Sequence, residues 1–316
     1  MADGPLVSVV VSSKNRRERL RALIESLRAQ DLDRSRFEVV IVDNASDDGT
    51  AALLDAEQRR DGLRLRPVRN DTDRGTAHSR NLGWKAANAP LIAFTDDDCE
   101  AAPDWLSSLL EASRRHPGAV LQGRTEPIPR ERDRLGPLSR TKEVTTLGPY
   151  FETCNVAYPR DLLERLDGFD AEAFPTWGGE DTDLAWRALG DGADAVFVDE
   201  ARTYHAVNQL GIIGGLRFAL GWSDAMAVLP RHAGIRRHLH RRVFWKRSHE
   251  QLLTAIAAVL VARRFPLALV LAIPYLRSLL SRSRRRPWLV PYFAAYDALE
   301  VVSAVRGGAR ARTFLI

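Results

Sequence analysis

Over its first half the chain alternates short β-branched runs with helical stretches. Val7–Val11 (VSVVV) is short, apolar and unbroken, the pattern of a strand covered on both faces. Leu20, Leu23, Ile24 and Leu27 then recur at i, i+3, i+4 and i+7, with Arg17, Arg21, Glu25 and Arg28 on the opposite face, and predict an amphipathic helix. Phe37–Val42 predicts a second strand, Thr50 to about Arg60 a helix, and Leu63–Val68 a third strand. Thr76–Ala87 predicts a helix, Pro90–Thr95 a fourth strand, and Pro103 and Asp104 open a further helix that runs to about Arg115. Strands separated by helices of this length pair in parallel through right-handed crossovers. The expected fold is α/β, with a doubly wound, mostly parallel, Rossmann-like sheet.

Past Arg124 the pattern loosens. Residues 124–150 are charged and rich in proline and glycine, and predict a long loop of the kind that usually carries function. A strand at Cys154–Tyr158 and a helix around Pro159–Leu166 follow, and then a loop from Trp177 that enters a helix ending near Arg187. After His205 two apolar runs stand out, Leu252–Ala262 and Leu267–Leu276, split by Arg263-Arg264 and followed by Arg282, Arg284, Arg285 and Arg286. Neither reaches the roughly 20 residues of a spanning helix. Joined, they would hold two arginines near mid-bilayer at about 2.5–3.5 kcal/mol each. A re-entrant or surface-lying helix pair is therefore expected, with Trp245, Trp288 and Tyr292 as aromatic anchors, against the alternative of a soluble hairpin buried on the sheet domain.

Charge sharpens the division. Residues 1–200 hold 27 Lys+Arg against 37 Asp+Glu, while residues 201–316 hold 19 against 4. An acidic front, 1–205, and a basic, helical back, 206–316, imply two parts with different partners, the back facing anionic lipid or nucleic acid. No nucleic-acid reader motif is present, and the arginines flank apolar runs, so lipid is the expected partner. Cys99 and Cys154 form no CxxC pair and predict two reduced thiols in a cytosolic protein. The opening MADGPL has no basic n-region, so no signal peptide is expected.

In open α/β sheets ligands bind beyond the carboxyl ends of the strands. Those ends carry Ser12-Ser13-Lys14-Asn15, the acidic loop Asp43–Thr50, and Asp96-Asp97-Asp98. Three adjacent carboxylates repel unless a cation lies among them. Mg²⁺ or Mn²⁺ bound by Asp96 and Asp98 would relieve that repulsion and hold a diphosphate; Asp97 would point elsewhere if the backbone stays extended. GxxxxGK[ST] and GxGxxG are both absent, which argues against a P-loop nucleotidase and a dinucleotide enzyme. Arg80 lies within reach of a phosphate.

Five segments in order resemble the inverting family 2 glycosyltransferases of GT-A fold. They are Val7–Arg16, Val42–Thr50 (VDNASDDGT), Asn70–Gly83, Phe94–Asp98 (FTDDD) and Gly178–Arg187 (GGEDTDLAWR), and together they cover about residues 1–205. The resemblance implies that Asp43 accepts a hydrogen bond from the nucleotide base, with Ser12 and Asn15 lining the same pocket. It places Asp96 on ribose and metal, Asp97 and Arg80 beside the donor, Asp98 on the metal, and His205 as a further metal ligand. Asp181 would be the general base, with Glu180 and Trp177 on the acceptor side. Two departures stand out: Asn44 where many members carry a second aspartate, and His78 where they carry a small residue. The tail, from Phe244-Trp-Lys-Arg247 to Gly307–Ile316, resembles bacterial members acting at membranes.

The resemblance therefore implies transfer of a sugar from a nucleotide-diphosphate donor to a saccharide or polyprenyl-linked acceptor, in cell-envelope or exopolysaccharide synthesis, at the cytoplasmic face of the plasma membrane. A sugar nucleotidyltransferase is the nearest alternative, but usually opens with a glycine-rich loop that Ser12–Asn15 lacks. A non-catalytic, membrane-bound saccharide-binding protein is another; intact Asp96, Asp98 and Asp181 speak against it.

Overall fold

A computed structural model describes residues 4–60, 62–284 and 286–313. Arg285 of the basic cluster, the first three residues and the tail residues 314–316 lie outside the described residues. The chain forms two compact units. One comprises the residues up to Asp133 with Thr141–Val207, the other Arg134–Arg140 with the residues from Asn208 on.

In chain order the first part contains β1 (Val7–Ser13), α1 (Arg17–Arg28), β2 (Phe37–Asn44), α2 (Thr50–Arg59), β3 (Leu65–Asn70), α3 (Gly75–Ala86), β4 (Leu91–Phe94), β5 (Cys99–Ala101), α4 (Trp105–Arg115) and β6 (Val120–Pro127). The two-residue β7 (Ser139–Arg140) belongs to the second unit. The first unit resumes with β8 (Val156–Pro159), α5 (Arg160–Arg165), α6 (Glu180–Gly190) and β9 (Ala195–His205). Its sheet has eight strands in the order β3-β2-β1-β4-β8-β6-β9-β5. The pairs β1–β2, β2–β3, β1–β4 and β6–β9 are parallel, whereas β8 runs antiparallel to both β4 and β6, and β5 antiparallel to β9.

The alternating sides of β1 and β2 build two cores. Val7, Val9, Val11, Val39 and Ile41 meet Leu20, Leu23, Ile24 and Leu27 of α1 on one face. Val10, Val40, Ile92 and Phe94 meet Trp84, Leu184 and Ala185 on the other. Each fully buried aliphatic side chain contributes roughly 1.5–3 kcal/mol, so these positions fix the register. The short β5 and β7 and the two-residue strand Asn208–Gln209 escaped the sequence reading, and so did two long strands. The segment expected to be irregular from Arg124 begins inside β6, and β9 went unseen; the two are paired across a register shift between Gly123 and Arg124.

The second unit adds β10 (Asn208–Gln209), α7 (Gly211–Leu220), a 3-10 segment (Gly221–Ala227), α8 (Val228–Arg231), α9 (Arg247–Val261), a second 3-10 segment (Pro266–Ala272), α10 (Ile273–Arg282) and α11 (Val290–Arg310). Leu252, Ala255, Tyr275, Leu279, Leu289, Tyr292 and Phe293 form its core. Tyr292 is thus interior, and Trp245 is half-buried against Trp222; of the three expected anchors Trp288 alone is exposed.

Candidate active site

The chain runs β1 to β2 to β3 outward, then returns to the other side of β1 as β4. That reversal opens a crevice beyond the carboxyl ends of β1 and β4. Across it the Ser13 hydroxyl donates to Asp97 Oδ2 at 2.8 Å. Arg16, just past β1, places Nη1 3.0 Å from Asp97 Oδ1 and 2.9 Å from Asp98 Oδ2. The aspartates do not continue the strand. β4 stops at Phe94, and the chain turns so that the Cys99 N–H donates to the Asp96 carbonyl at 3.1 Å. Asp97 is therefore a buried, paired residue and not an outward spacer on an extended backbone. Burial pushes its pKa up to about 7 against the pull of Arg16, with Asp98 adding repulsion. The sequence reading named Ser13 and Arg16 only within the end of β1 and its loop and gave neither a role; the signal available was their position at and just past the carboxyl end of β1.

β9 ends on His205, which pairs with Cys99 of β5 in the antiparallel ladder and so arrives beside Asp98. Its Nε2 lies 3.4 Å from Asp98 Oδ1. Nδ1 lies 2.9 Å from the Ala206 carbonyl, which can only accept, so Nδ1 donates there and Nε2 is the ring nitrogen directed at Asp98. Asp98, Cys99 and His205 have their ligand atoms within 4.8 Å of one another, close enough to hold one metal ion. Burial pushes the Cys99 thiol pKa up, which disfavours a thiolate at the metal-free site. Asp98 and His205 fit a divalent ion, the carboxylate suiting Mg²⁺ or Mn²⁺ and the imidazole favouring the transition metal. Asp96 stands apart from this pair, its Oδ1 taking Arg80 at 3.1 Å.

The third component is the start of α6. Gly178 and Gly179 both have φ 97°, a left-handed turn that side chains resist, and they aim the helix N-terminus into the site. Glu180, expected toward the acceptor, is turned inward. It accepts from Arg80 Nη1 at 2.7 Å, the Gly178 N–H at 2.7 Å and the Thr76 hydroxyl at 3.0 Å. Arg80, expected on the donor, is itself buried and bridges Asp96 to Glu180. Asp183 is buried against Arg187 at 2.8 Å, and Arg187 clasps the carbonyls of Leu166 and Gly168. Asp181 is the half-buried member of the three, accepting from the Thr182 N–H at 2.8 Å. The helix dipole favours its ionised form, yet desolvation and the Glu180 charge prevail and push its pKa up to about 7, with Lys142 and Arg80 opposing. Trp177 is exposed at the mouth of the same turn.

At the end of β2, Asp43 is buried, accepts from the Ser46 N–H at 3.0 Å and pairs with Arg69. A carboxylate offers about four lone-pair directions, so a base can still be accommodated. Asn15 sits at φ 52° and joins two loops, its N–H donating to Ser46 Oγ and its side chain accepting from the Asp47 N–H. Ser12 is half-buried at the end of β1. Asn44 donates to Asp73 Oδ1 at 2.6 Å and accepts from Asn70 at 3.0 Å; an aspartate here would face Asp73 with like charge, which accounts for the departure from the common pattern.

An eight-stranded α/β sheet with its acids at the switch point is the architecture of the GT-A glycosyltransferases. The chain belongs to the family described as glycosyl transferase family 2, whose sequence profile matches residues 8–169, just over half its length. A second profile, described as the N-terminal domain of galactosyltransferase, matches residues 142–209, the stretch that carries Asp181 and His205. The chain is 31% identical over 223 residues to a validoxylamine A glucosyltransferase of Streptomyces hygroscopicus subsp. jinggangensis, covering 60% of this chain and 52% of that protein. It therefore spans about half the length of that relative. The succinoglycan biosynthesis protein ExoM of Rhizobium meliloti is 27% identical over 237 residues, covering 70% of this chain and 75% of that protein. Among solved structures, a mannosyltransferase of Pyrobaculum calidifontis in complex with GDP-Man and Mn²⁺ superposes with a TM-score of 0.61 at 24% identity, covering 96% of this chain and 87% of that one. TarS of S. aureus in complex with UDP gives 0.53 at 21%, covering 97% and 92%.

Proposed function

We propose that the chain is a metal-dependent, inverting glycosyltransferase that moves a sugar from a nucleotide-diphosphate donor to a saccharide or lipid-linked saccharide. The observation that carries this reading is Asp181. Its two acidic neighbours are locked into structural pairs, while it remains half-buried with a pKa of about 7, poised to take a proton near neutral pH. The reading also draws on the nucleotide ligands held by the structural relatives, the sugar nucleotide GDP-Man and the nucleotide UDP.

The roles follow from position. Asp43 and Ser12 stand where a nucleoside would sit. Asp98 and His205 would hold Mn²⁺ or Mg²⁺, which when bound offsets charge on the leaving diphosphate. Arg80 fixes Asp96 against Glu180 and thereby sets the start of α6. Asp181 accepts the proton of the acceptor hydroxyl as that oxygen attacks the anomeric carbon on the face opposite the diphosphate. A single displacement inverts configuration. Trp177 offers an exposed ring to an acceptor sugar. The likeness to a succinoglycan biosynthesis protein supports a place in exopolysaccharide or cell-envelope synthesis; the placement proposed for it is the cytoplasmic face of the plasma membrane.

Replacing Asp181 by Asn tests the assignment. Transfer is expected to fall by about 10²–10⁴, while the thermal shift produced by nucleotide with Mn²⁺ persists. Full transfer activity in Asp181→Asn overturns it.

A further inference from the structure

The second unit has two apolar regions that could meet a bilayer, and they differ in what already covers them. By length and composition Gly211–Arg231 is apolar enough to cross a membrane, with mean hydropathy 1.3. One side of it is packed within the unit, although Ile212 and Ile213 are exposed. A Cβ on Gly215 would come within 2.1 Å of the Tyr292 hydroxyl, Ser303 donates to the Leu220 carbonyl at 3.0 Å, and the Arg140 guanidinium lies 3.2 Å from the Phe218 ring centre. Met226, Val228 and Leu229 are buried.

The stretch from the end of α9 through α10 is the reverse. No residue of the 3-10 segment Pro266–Ala272 (PLALVLA) is buried. Leu267 is 86% exposed, Leu260 77% and Phe265 64%, with Val259, Val270 and Leu276 beside them. The inner side is closed: Leu252, Ala255, Tyr275 and Leu279 are core, and Tyr275 and Arg282 both bind Asp297. The polarity of this hairpin is therefore fixed, with one face on the protein and one outward.

We propose that this outward face is a monotopic docking surface, lying in the headgroup–acyl boundary of an anionic bilayer. From Gln251 to Tyr296 the chain carries seven arginines and no acidic residue. The described residues Arg263, Arg264, Arg277, Arg284 and Arg286 are all exposed around the apolar ridge. Long guanidinium stems reach phosphate headgroups while their neighbours enter the acyl region. Trp288, 71% exposed beside Arg286, fits the interfacial belt. A second copy of the chain is a poor occupant. A two-fold contact would set these arginines against themselves, with no acid on the face to pair them. Spanning is also excluded, because it would carry Arg277 and the Arg282–Asp297 pair into hydrocarbon. This inference deepens the membrane placement proposed above and rests on it only for the choice of leaflet.

Flotation of the full chain with vesicles of phosphatidylcholine, with and without phosphatidylglycerol, tests it. Binding is expected to require the anionic lipid. Leu260→Asp/Leu267→Asp should reduce it to background, and Arg263→Gln/Arg264→Gln should weaken it roughly thirty-fold. Ile213→Asp, at an exposed apolar residue outside the arginine-rimmed face, should leave it unchanged. Brominated lipid should quench fluorescence in the native chain, and less in Trp288→Phe. Each variant is checked for an unaltered melting point and an unaltered nucleotide–Mn²⁺ shift, so loss of flotation is read separately from the donor site. Flotation that survives the leucine substitutions, or that only Ile213→Asp abolishes, overturns the proposal. So does a lipid-indifferent dimer that the leucine substitutions split. Absent nucleotide binding with intact flotation would instead count against the transferase reading alone.

Discussion

Each unit buries a knot of acidic side chains close enough to suggest a metal, and the two knots are built on opposite principles. In the second unit His249, Asp297 and Glu300 bring their ligand atoms within 4.8 Å of one another. Every carboxylate there already has its cation. Lys246 bonds Glu300 at 2.6 and 2.8 Å, Arg282 forks onto Asp297, and Tyr275 and Ser248 supply further donors to Asp297. His249 completes the group against Glu300 at 3.3 Å. In the first unit Asp96, Asp97, Asp98, Glu180 and Asp181 share chiefly Arg16 and Arg80, and two of the five carboxyls have pKa values pushed up to about 7. Proximity of acids is thus a weak sign of a metal. The ratio of acids to resident cations separates a structural knot from a site that its ligands complete.

The comparison breaks most visibly by deleting one acid from each knot. Asp98→Asn should abolish the Mn²⁺-dependent thermal shift and reduce transfer to background, with modest change in the ligand-free melting point. Asp297→Asn should do the opposite, costing about 3–5 kcal/mol by leaving Arg282 half-buried without its partner, while the Mn²⁺ shift remains. Denaturant unfolding with and without Mn²⁺ reads both. Equal effects of the two variants on metal binding would erase the distinction. Arg80→Met comes next: it strips Asp96 and Glu180 of their shared buried cation, with an expected loss of about 3 kcal/mol by urea unfolding.

How much of this was legible beforehand follows from the same physics. β1, β2 and α1 could be read because burial on both faces, or on one stripe, writes an unambiguous period into the sequence. β9 could not: AVFVDEARTYH is half-exposed along most of its length and carries Asp199 and Glu200 at its centre. The expectation of one long irregular segment failed at β6 for a similar reason, since Arg124 and Glu126 lie only partly covered. At the site, residue types pointed to Asp96, Asp98, Asp181 and His205 as chemistry. The pairings did not show, because Ser13–Asp97, Arg16–Asp98 and Arg80–Glu180 join positions more than eighty residues apart. Only the crossover from β3 back to β4 brings most of them together. Glu180 and Asp181 are adjacent and chemically alike, yet the turn at Gly178–Gly179 sends one inward and leaves the other half-exposed.

That difference between neighbours predicts a pH profile. With a folded pKa of about 7, Asp181 is mostly protonated, and so inactive as a base, in acid. The kcat/KM should climb about tenfold per pH unit and level off above about pH 7. A plateau already reached near pH 5 would mean that the base ionises like an exposed carboxylate, and would move the role away from Asp181.

The smallest expected effect tests the edge of the first unit's charge imbalance. Asn44 is neutral and donates to Asp73, which also takes Lys14 at 2.6 Å. Asn44→Asp restores the residue common among family members but removes that donor and sets a carboxylate against Asp73. The hydrogen bond lost is worth about 1 kcal/mol, and the exposed Lys14, already paired with Asp73, compensates in part. Stability should therefore fall by about 1 kcal/mol or less, recovering as salt screens the new repulsion. Mn²⁺ binding at Asp98 should be unchanged, because Asn44 ends β2 and meets Asp73 and Asn70 rather than the crevice between β1 and β4. A large loss of Mn²⁺ affinity in this variant would show that the acids of the two loops act as one electrostatic unit, and that counting cations separately for each loop is wrong.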